Sequence, residues 1–363
     1  MKYIDEYRDK KRVLAVADKI KMIMPAQPIN IMEVCGTHTQ SFYRFGLDKL
    51  VPPNLKLISG PGCPVCVSSE EYIDTAIKLA GNKKVIIATF GDMLRVPGRK
   101  SSLEKERAKS GNIQVVYSPL DALKVAEQNP AKKIVFLAVG FETTAPTIAL
   151  TILKARDDRI KNLFFLTSLK LIPPAMETLL KDRRIRLNGF LCPGHVSAII
   201  GTGAYLGLSK KYGISCCVAG FEPLDILEGL YLLLGQIIQK RHYVQNQYFR
   251  VVTASGNRRA QGIIKKVFTV EDVSWRGLGI IAESGLGIKK GFTAFSARKE
   301  FSLKTAPQVL RGLQKKCKCG DVLKGIMSPD QCVLFRRACT PTNPYGPCMV
   351  STEGACNAYY RYN

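Results

Sequence analysis

Cys35, Cys63 and Cys66 lie in two Gly/Pro-rich stretches near the amino end, and Cys317, Cys319, Cys332, Cys339, Cys348 and Cys356 crowd the end of this 363-residue chain. Thiols in such number crosslink, hold a metal or carry electrons. Cys63-Pro64-Val65-Cys66 is a C-x-x-C turn after an apolar run, the arrangement of a thiol–disulfide redox pair. It is equally half of a zinc site, but the chain has no second C-x-x-C to complete one. In the tail, four thiolates suit [4Fe–4S] or [2Fe–2S] iron or zinc, and spacing alone does not choose. The C-x3-C-x2-C of radical-SAM enzymes is absent. Cys192, Cys216 and Cys217 sit in apolar runs and are assigned to the core, where cysteine packs as a small hydrophobe.

Other residues able to do chemistry fall just after apolar runs. They include Cys35 and His38 in Glu33–Thr39, Asp92 after Gly91, Glu142 in Gly140–Thr144, His195 in Pro193-Gly194-His195, and Glu222 after Gly220-Phe221. Cys35 stands where a helix should begin, so the partial positive charge there favours its thiolate, with His38 close enough to help. For His38 and His195, packing is the competing reading. Gly60–Gly62 forms neither G-x-G-x-x-G nor a P-loop, so nucleotide binding has no motif behind it.

The elements that must position these groups alternate regularly. Residues 5–24 read as an amphipathic helix through Val13, Ala17, Ile20 and Met24, stopped by Pro25. Eight short apolar runs follow, each trailed by a turn and a helical pattern: Ile29–Val34, Leu55–Ile58, Lys84–Thr89, Ile113–Tyr117, Ile134–Val139, Leu163–Thr167, Gly189–Leu191 and Cys216–Ala219. Such runs are the signature of buried parallel strands in βα units. Pro119–Leu123 and Pro223–Leu227 match, and Phe90–Met93 faces Pro193–Val196 at nearly the same offset, which suggests duplication. The expectation is an α/β chain: an amino-terminal helix (1–25), two similar four-stranded parallel α/β domains (26–128 and 129–240), and a mostly helical and irregular carboxyl-terminal domain (241–363). In that last part Tyr243–Val252 reads as helical, and Arg276–Gly279 and Ser284–Gly287 as Gly-rich loops.

The formal charge is +25, from 54 Lys and Arg against 29 Asp and Glu. The basic residues are dispersed, there is one Trp, and no RNP-type motif is present, so a solvated basic surface facing an acidic partner is preferred over nucleic-acid binding. The amino end lacks an apolar signal region, and the longest apolar stretch, near Gly229 to Ile238, is about half of a membrane span. A cytoplasmic protein with no membrane association is expected. There, clustered cysteines bind metal or do redox work more often than they crosslink.

Several long blocks resemble the HypD family of [NiFe]-hydrogenase maturation proteins: Glu33–Thr39, Gly60–Cys66, Thr89–Gly98, Gly140–Pro146, Pro193–Ser197, Ala219–Leu227 and the tail Gly346–Cys356. The resemblance implies a [4Fe–4S] cluster on C-x14-C-x6-C-x16-C, which here selects Cys317, Cys332, Cys339 and Cys356. Cys319 and Cys348 are left as a redox pair beside it, similar to ferredoxin–thioredoxin reductase. It implies a scaffold for a transient Fe(CN)2CO group, with iron held between Cys35 and the amino-terminal cysteine of a HypC-type small chaperone, and cyanide delivered by a HypE-type donor. His38, Asp92, Glu142, His195, Glu222 and Glu353 then become candidates for orienting or protonating the diatomic ligands. Two other readings compete: an independent iron–sulfur disulfide reductase, and a zinc-stabilised basic nucleic-acid-binding module.

Overall fold

A computed structural model describes residues 4–109, 111–303 and 317–363; Met1-Lys2-Tyr3 and the Lys315-Lys316 pair lie outside them. All eight expected strands form: β1 (Ile29–Glu33), β2 (Leu55–Ser59), β3 (Val85–Thr89), β4 (Ile113–Val115), β5 (Lys133–Gly140), β6 (Leu163–Lys170), β7 (Gly189–Pro193) and β8 (Ser215–Ala219). Three more follow, β9 (Val244–Asn246), β10 (Phe268–Trp275) and β11 (Gly279–Ile288). The architecture is α/β with two parallel-dominated sheets, of five strands (β2-β1-β7-β8-β9) and six (β10-β11-β6-β5-β3-β4).

The sheets do not follow the sequence halves. β1 and β2 pair with β7 and β8, while β3 to β6 form the centre of the other sheet. The boundary expected at 128/129 therefore separates neither sheet from the other. The expected four-stranded count is also corrected, to five and six. Parallel strands are joined by crossovers, and an apolar run carries no mark of which sheet it enters. What holds is the similarity of the two units: ignoring added strands, β2-β1-β7-β8 and β4-β3-β5-β6 have the same order. In each, two adjacent strands, β1/β7 and β3/β5, lead off in opposite directions. That opens a crevice beyond their carboxyl ends, where α/β sheets place ligands.

The third part also differs from expectation. Val244–Asn246 is a strand, not part of a helix. Ser284–Gly287 lies inside β11, which runs antiparallel to β10 and to β6. Among the described residues, 289–303 and 317–363 are irregular with short helices. Glycine hides these strands from a reading of apolar runs. Gly285 is packed so that a Cβ would lie 2.3 Å from Val273 Cγ1 across the hairpin, so the close approach itself requires its absence.

The helix Lys10–Ile23 starts at Asp9, whose carboxylate accepts from Arg12 N at 2.9 Å, and buries Val13, Ala17 and Ile20. It packs with Leu224, Leu227, Leu230 and Leu234 of the helix Pro223–Ile238 over the five-stranded sheet. Each such side chain, fully buried, contributes about 1.5–3 kcal/mol relative to exposure. Cys192, Cys216 and Cys217 are fully buried, as expected of core cysteines. The opposite face of this sheet shares one apolar core with Cys63, Cys66, Trp275, Cys319 and Cys348. That shared core seats the tail against the front of the chain.

Candidate thiol and metal centre

β1 ends at Glu33 and the helix Gly36–Arg44 begins at Cys35, so the turn holds Cys35 at the β1/β7 crevice. Gly62 makes the turn possible: its amide oxygen accepts from Gly36 N at 3.0 Å, and a Cβ on it would fall 2.1 Å from Cys35 N. Cys35 N donates to Glu33 Oε2 at 2.8 Å, and the Thr39 hydroxyl donates to the other oxygen of Glu33. Burial pushes the Glu33 carboxyl up to about 8 against the pull of these donors. The tail closes the corner, with Thr37 Oγ1 donating to Glu353 Oε1 at 2.7 Å.

The helix start does not activate Cys35 as the sequence suggested. Burial, then the charges of Glu353 and Glu33, push its thiol up to about 12, outweighing the Thr37 and His38 N–H groups that favour the thiolate. The residue as a whole is buried, at 8 % exposure. His38 is fully buried; its Nε2 lies 2.8 Å from Gly220 O and 3.2 Å from Ala219 O, so that nitrogen carries the proton. Its Nδ1 is buried without a partner, and burial pulls the ring down to about 4, which keeps it neutral. The exposed His195 stacks on Phe221 at 4.0 Å, and Phe221 in turn lies 4.7 Å from the His38 ring. Desolvation lowers His195 and the Glu353 charge opposes this, which places Glu353 within electrostatic reach. Cys35, His38, His195 and Glu353 thus share one corner.

A shared core connects the C-x-x-C turn to the tail. Cys66 N donates to Cys63 Sγ at 3.4 Å, and the Cys66 thiol donates to Pro347 O at 3.8 Å, beside Cys348. Cys63, Cys66, Cys319 and Cys348 pack in one buried core, with Cys317 and Cys356 against it. All six tail cysteines line a single apolar cavity of about 20 Å³, with Val322, Leu334, Phe335 and Met349. Tyr345 N donates to Cys339 Sγ at 3.3 Å, and a Cβ on Gly346 would lie 2.5 Å from Cys317 Sγ. Among the described residues no three His, Cys, Asp or Glu side chains converge as ligands of a single metal ion. Sulfurs spread around an apolar space suit a polynuclear iron–sulfur core better than one ion, since such a core presents a separate metal to each thiolate.

Other expected site residues lie elsewhere. Asp92 is exposed after β3. Glu142, after β5, accepts from Ile172 N at 2.9 Å and so caps the helix Ile172–Lys181; its second oxygen is buried without a partner, and burial pushes the carboxyl up to about 7. Glu222 caps the helix Pro223–Ile238 and pairs with Arg8, a structural duty. Four buried or half-buried cations carry no signal in the sequence. Arg95 donates to Pro341 O at 3.0 Å and Val350 O at 3.2 Å, tying the tail to the loop after β3. Arg250 holds the fully buried Asp225 by two bonds of 2.7 and 2.6 Å, under Tyr7. Arg276 and Lys170 are buried near Trp275. An isolated basic residue in a sequence does not reveal whether it faces water.

Fold and site define an α/β protein of two interleaved parallel sheets whose cysteine-rich tail meets a C-x-x-C turn. The family model "HypD: Hydrogenase formation hypA family" matches residues 11–363. The chain is 44% identical to the hydrogenase expression/formation protein HupD of Azotobacter chroococcum mcd 1, over all of this chain and 97% of that protein. It is 42% identical to the hydrogenase maturation factor HypD of Escherichia coli (strain K12), covering 98% of it, and 43% identical to that of Azotobacter vinelandii, covering 97%. The chain belongs to the HypD family of hydrogenase maturation factors.

Proposed function

We propose that this chain is the scaffold on which the Fe(CN)2CO group of [NiFe]-hydrogenase is assembled, with Cys35 gripping the iron as cargo and the tail supplying electrons. The observation that carries this reading is the shared buried core in which Cys63 and Cys66 pack with Cys319 and Cys348, two of the six cysteines that line the tail pocket. The same tail segment places Glu353 over the Cys35 helix.

The donor set of the pocket fits a [4Fe–4S] cluster held by Cys317, Cys332, Cys339 and Cys356, the four that the family spacing selects. An apolar lining and the Tyr345 N–H to sulfur are features that stabilise such a group. When bound, it supplies single electrons. Cys319 and Cys348, which pack with Cys63 and Cys66 in one buried core, are the redox pair between pocket and C-x-x-C turn. Each dithiol closes to a disulfide by releasing two electrons and two protons, and exchange between neighbouring pairs conserves both.

At Cys35 the buried corner keeps the sulfur protonated while no cation is present, because burial and then the Glu353 charge oppose a free thiolate. An iron fragment reverses that balance: the thiolate is a soft ligand suited to low-valent iron, and metal binding displaces the proton. His38, neutral and anchored to Gly220 O, holds the helix start against β8 and the turn after it. His195, stacked on Phe221 at the mouth, is placed to hydrogen-bond a ligand of the iron. The second thiolate comes from the amino terminus of a HypC-type chaperone and cyanide from a HypE-type donor, as the family resemblance implies. No helix among the described residues is long and apolar enough to cross a membrane, and a cytoplasmic complex is the setting proposed.

The test is infrared spectroscopy of the complex purified anaerobically with the chaperone. Cyanide and carbon monoxide bands are expected in the wild type and absent in Cys35→Ala, which keeps its brown iron–sulfur absorbance. Bands that survive Cys35→Ala contradict the assignment of Cys35. A brown wild-type complex without bands favours a disulfide reductase acting on another substrate.

A further inference from the structure

Arg276 lies in the turn between β10 and β11, with its side chain 4 % exposed. Its Nη2 pairs with Glu70 Oε1 at 2.8 Å, and both terminal nitrogens donate to Pro97 O at 3.2 Å. Its backbone N–H donates to Val67 O at 2.9 Å, one residue beyond Cys66. The Nε atom is buried and has no partner. The next residue, Gly277, has φ +82° and meets Gly320 backbone to backbone: a Cβ there would lie 2.6 Å from Gly320 Cα. This contact brings the Arg276 turn against the segment Cys317–Gly320, between the C-x-x-C loop and the tail pocket.

A buried guanidinium is costly, and an ion pair kept only for stability is replaceable by apolar groups at little loss. Here the charge is fixed by Glu70 and Pro97 and the backbone by Val67, while a donor is left over on the same side chain. Trp275 and Leu278, which flank the turn, share one apolar core with Cys317, Cys319 and Cys348.

We propose that Arg276 is a positioning residue for the tail thiol pocket: its fixed, buried positive charge raises the reduction potential of the iron–sulfur group held there. The inference rests on the cluster-holding reading given above. The reason is electrostatic. Reduction adds one electron, and hence one negative charge, to the group that Cys317 helps hold; a nearby cation in a low-dielectric interior stabilises that added charge more than the oxidised state. Glu70, the counter-charge, moderates the effect.

The experiment is a redox titration of the anaerobically purified full chain, followed by visible absorbance and electron paramagnetic resonance, in wild type, Arg276→Gln, Arg276→Lys and Glu70→Gln. In Arg276→Gln the one-electron equilibrium should move about tenfold toward the oxidised form, which is ~59 mV lower in potential. Arg276→Lys should recover most of that shift, and Glu70→Gln should move the equilibrium the other way, because it leaves the cation uncompensated. A brace holding the two segments together is broken equally by Arg276→Gln and Glu70→Gln; shifts of the same sign, or none in Arg276→Gln, overturn the proposal. If Arg276→Gln does not fold, the sign of the Glu70→Gln shift decides. A wild-type protein without a reducible iron–sulfur signal overturns the cluster reading itself, a result distinct from an unshifted potential.

Discussion

Cys35 caps the helix Gly36–Arg44 without a side-chain capping bond, so its sulfur is free for a ligand while its backbone is fixed by Glu33 and Gly62. The fit at Gly62 predicts a cost for one methyl group. Gly62→Ala must push backbone against backbone, which no rotamer change relieves, and is expected to lower stability by about 2 kcal/mol or more and to displace Cys35. Chemical denaturation reads the first effect and infrared bands of the chaperone complex the second; an unchanged midpoint would show that the loop yields. At this scale the cysteines were legible because type and spacing declare them. Glu222 and Glu142 also cap helices, and a carboxylate after a strand serves a helix end as readily as chemistry, which sequence position does not distinguish. The cost of burying the Cys35 thiolate was also hidden, because Glu353, which adds to it, arrives from the far end of the chain.

Among the elements, β6 and the β10–β11 hairpin carry an unusual burden. Lys170, at the end of β6, is 2 % exposed, donates to Ser274 O at 2.8 Å and lies 5.4 Å from the Trp275 ring. Burial pulls it from an ordinary 10.5 to about 7. Between those values the unfolded chain binds the extra proton, so this residue makes stability rise with pH across that window, by up to ~1.4 kcal/mol per unit. Lys170→Met is expected to flatten that slope; urea midpoints at pH 7, 8 and 9 measure it, and an unaltered slope would mean that Lys170 keeps its charge. A second buried pair fixes the helix Pro223–Ile238. Asp225 is fully buried against Arg250, so Asp225→Asn strands a cation and should cost about 3–5 kcal/mol, seen as a lower Tm. Smaller loss would show that Tyr7 and Tyr248, stacked on the guanidinium, compensate. The eight strands were legible because each is a short, mostly apolar run; β3, β5, β7 and β8 bury nearly every residue, while β2 and β4 bury only their first. β9 to β11 were not, since β11 reads as a Gly-rich loop and its glycines matter only against a neighbour already in place.

Across the whole molecule, the interleaving of the two sheets has a functional consequence. The chain enters the five-stranded sheet, builds the centre of the six-stranded one, and returns, so the β1/β7 crevice joins residues far apart in sequence: Cys35 from one, His195 from the other. The tail then crosses both units, tied by Arg95 to the loop after β3 and by Glu353 to the Cys35 helix. A local reading does not foresee this, because a repeated signal in the sequence does not say which strands share a sheet. Mössbauer spectroscopy of 57Fe-labelled protein, purified anaerobically with its small chaperone, tests most directly whether one chain holds two kinds of iron. The wild type should show a [4Fe–4S] species together with a separate low-spin iron, and Cys35→Ala only the first. A wild type with one kind of iron, or a low-spin signal that outlives Cys35, would contradict the account.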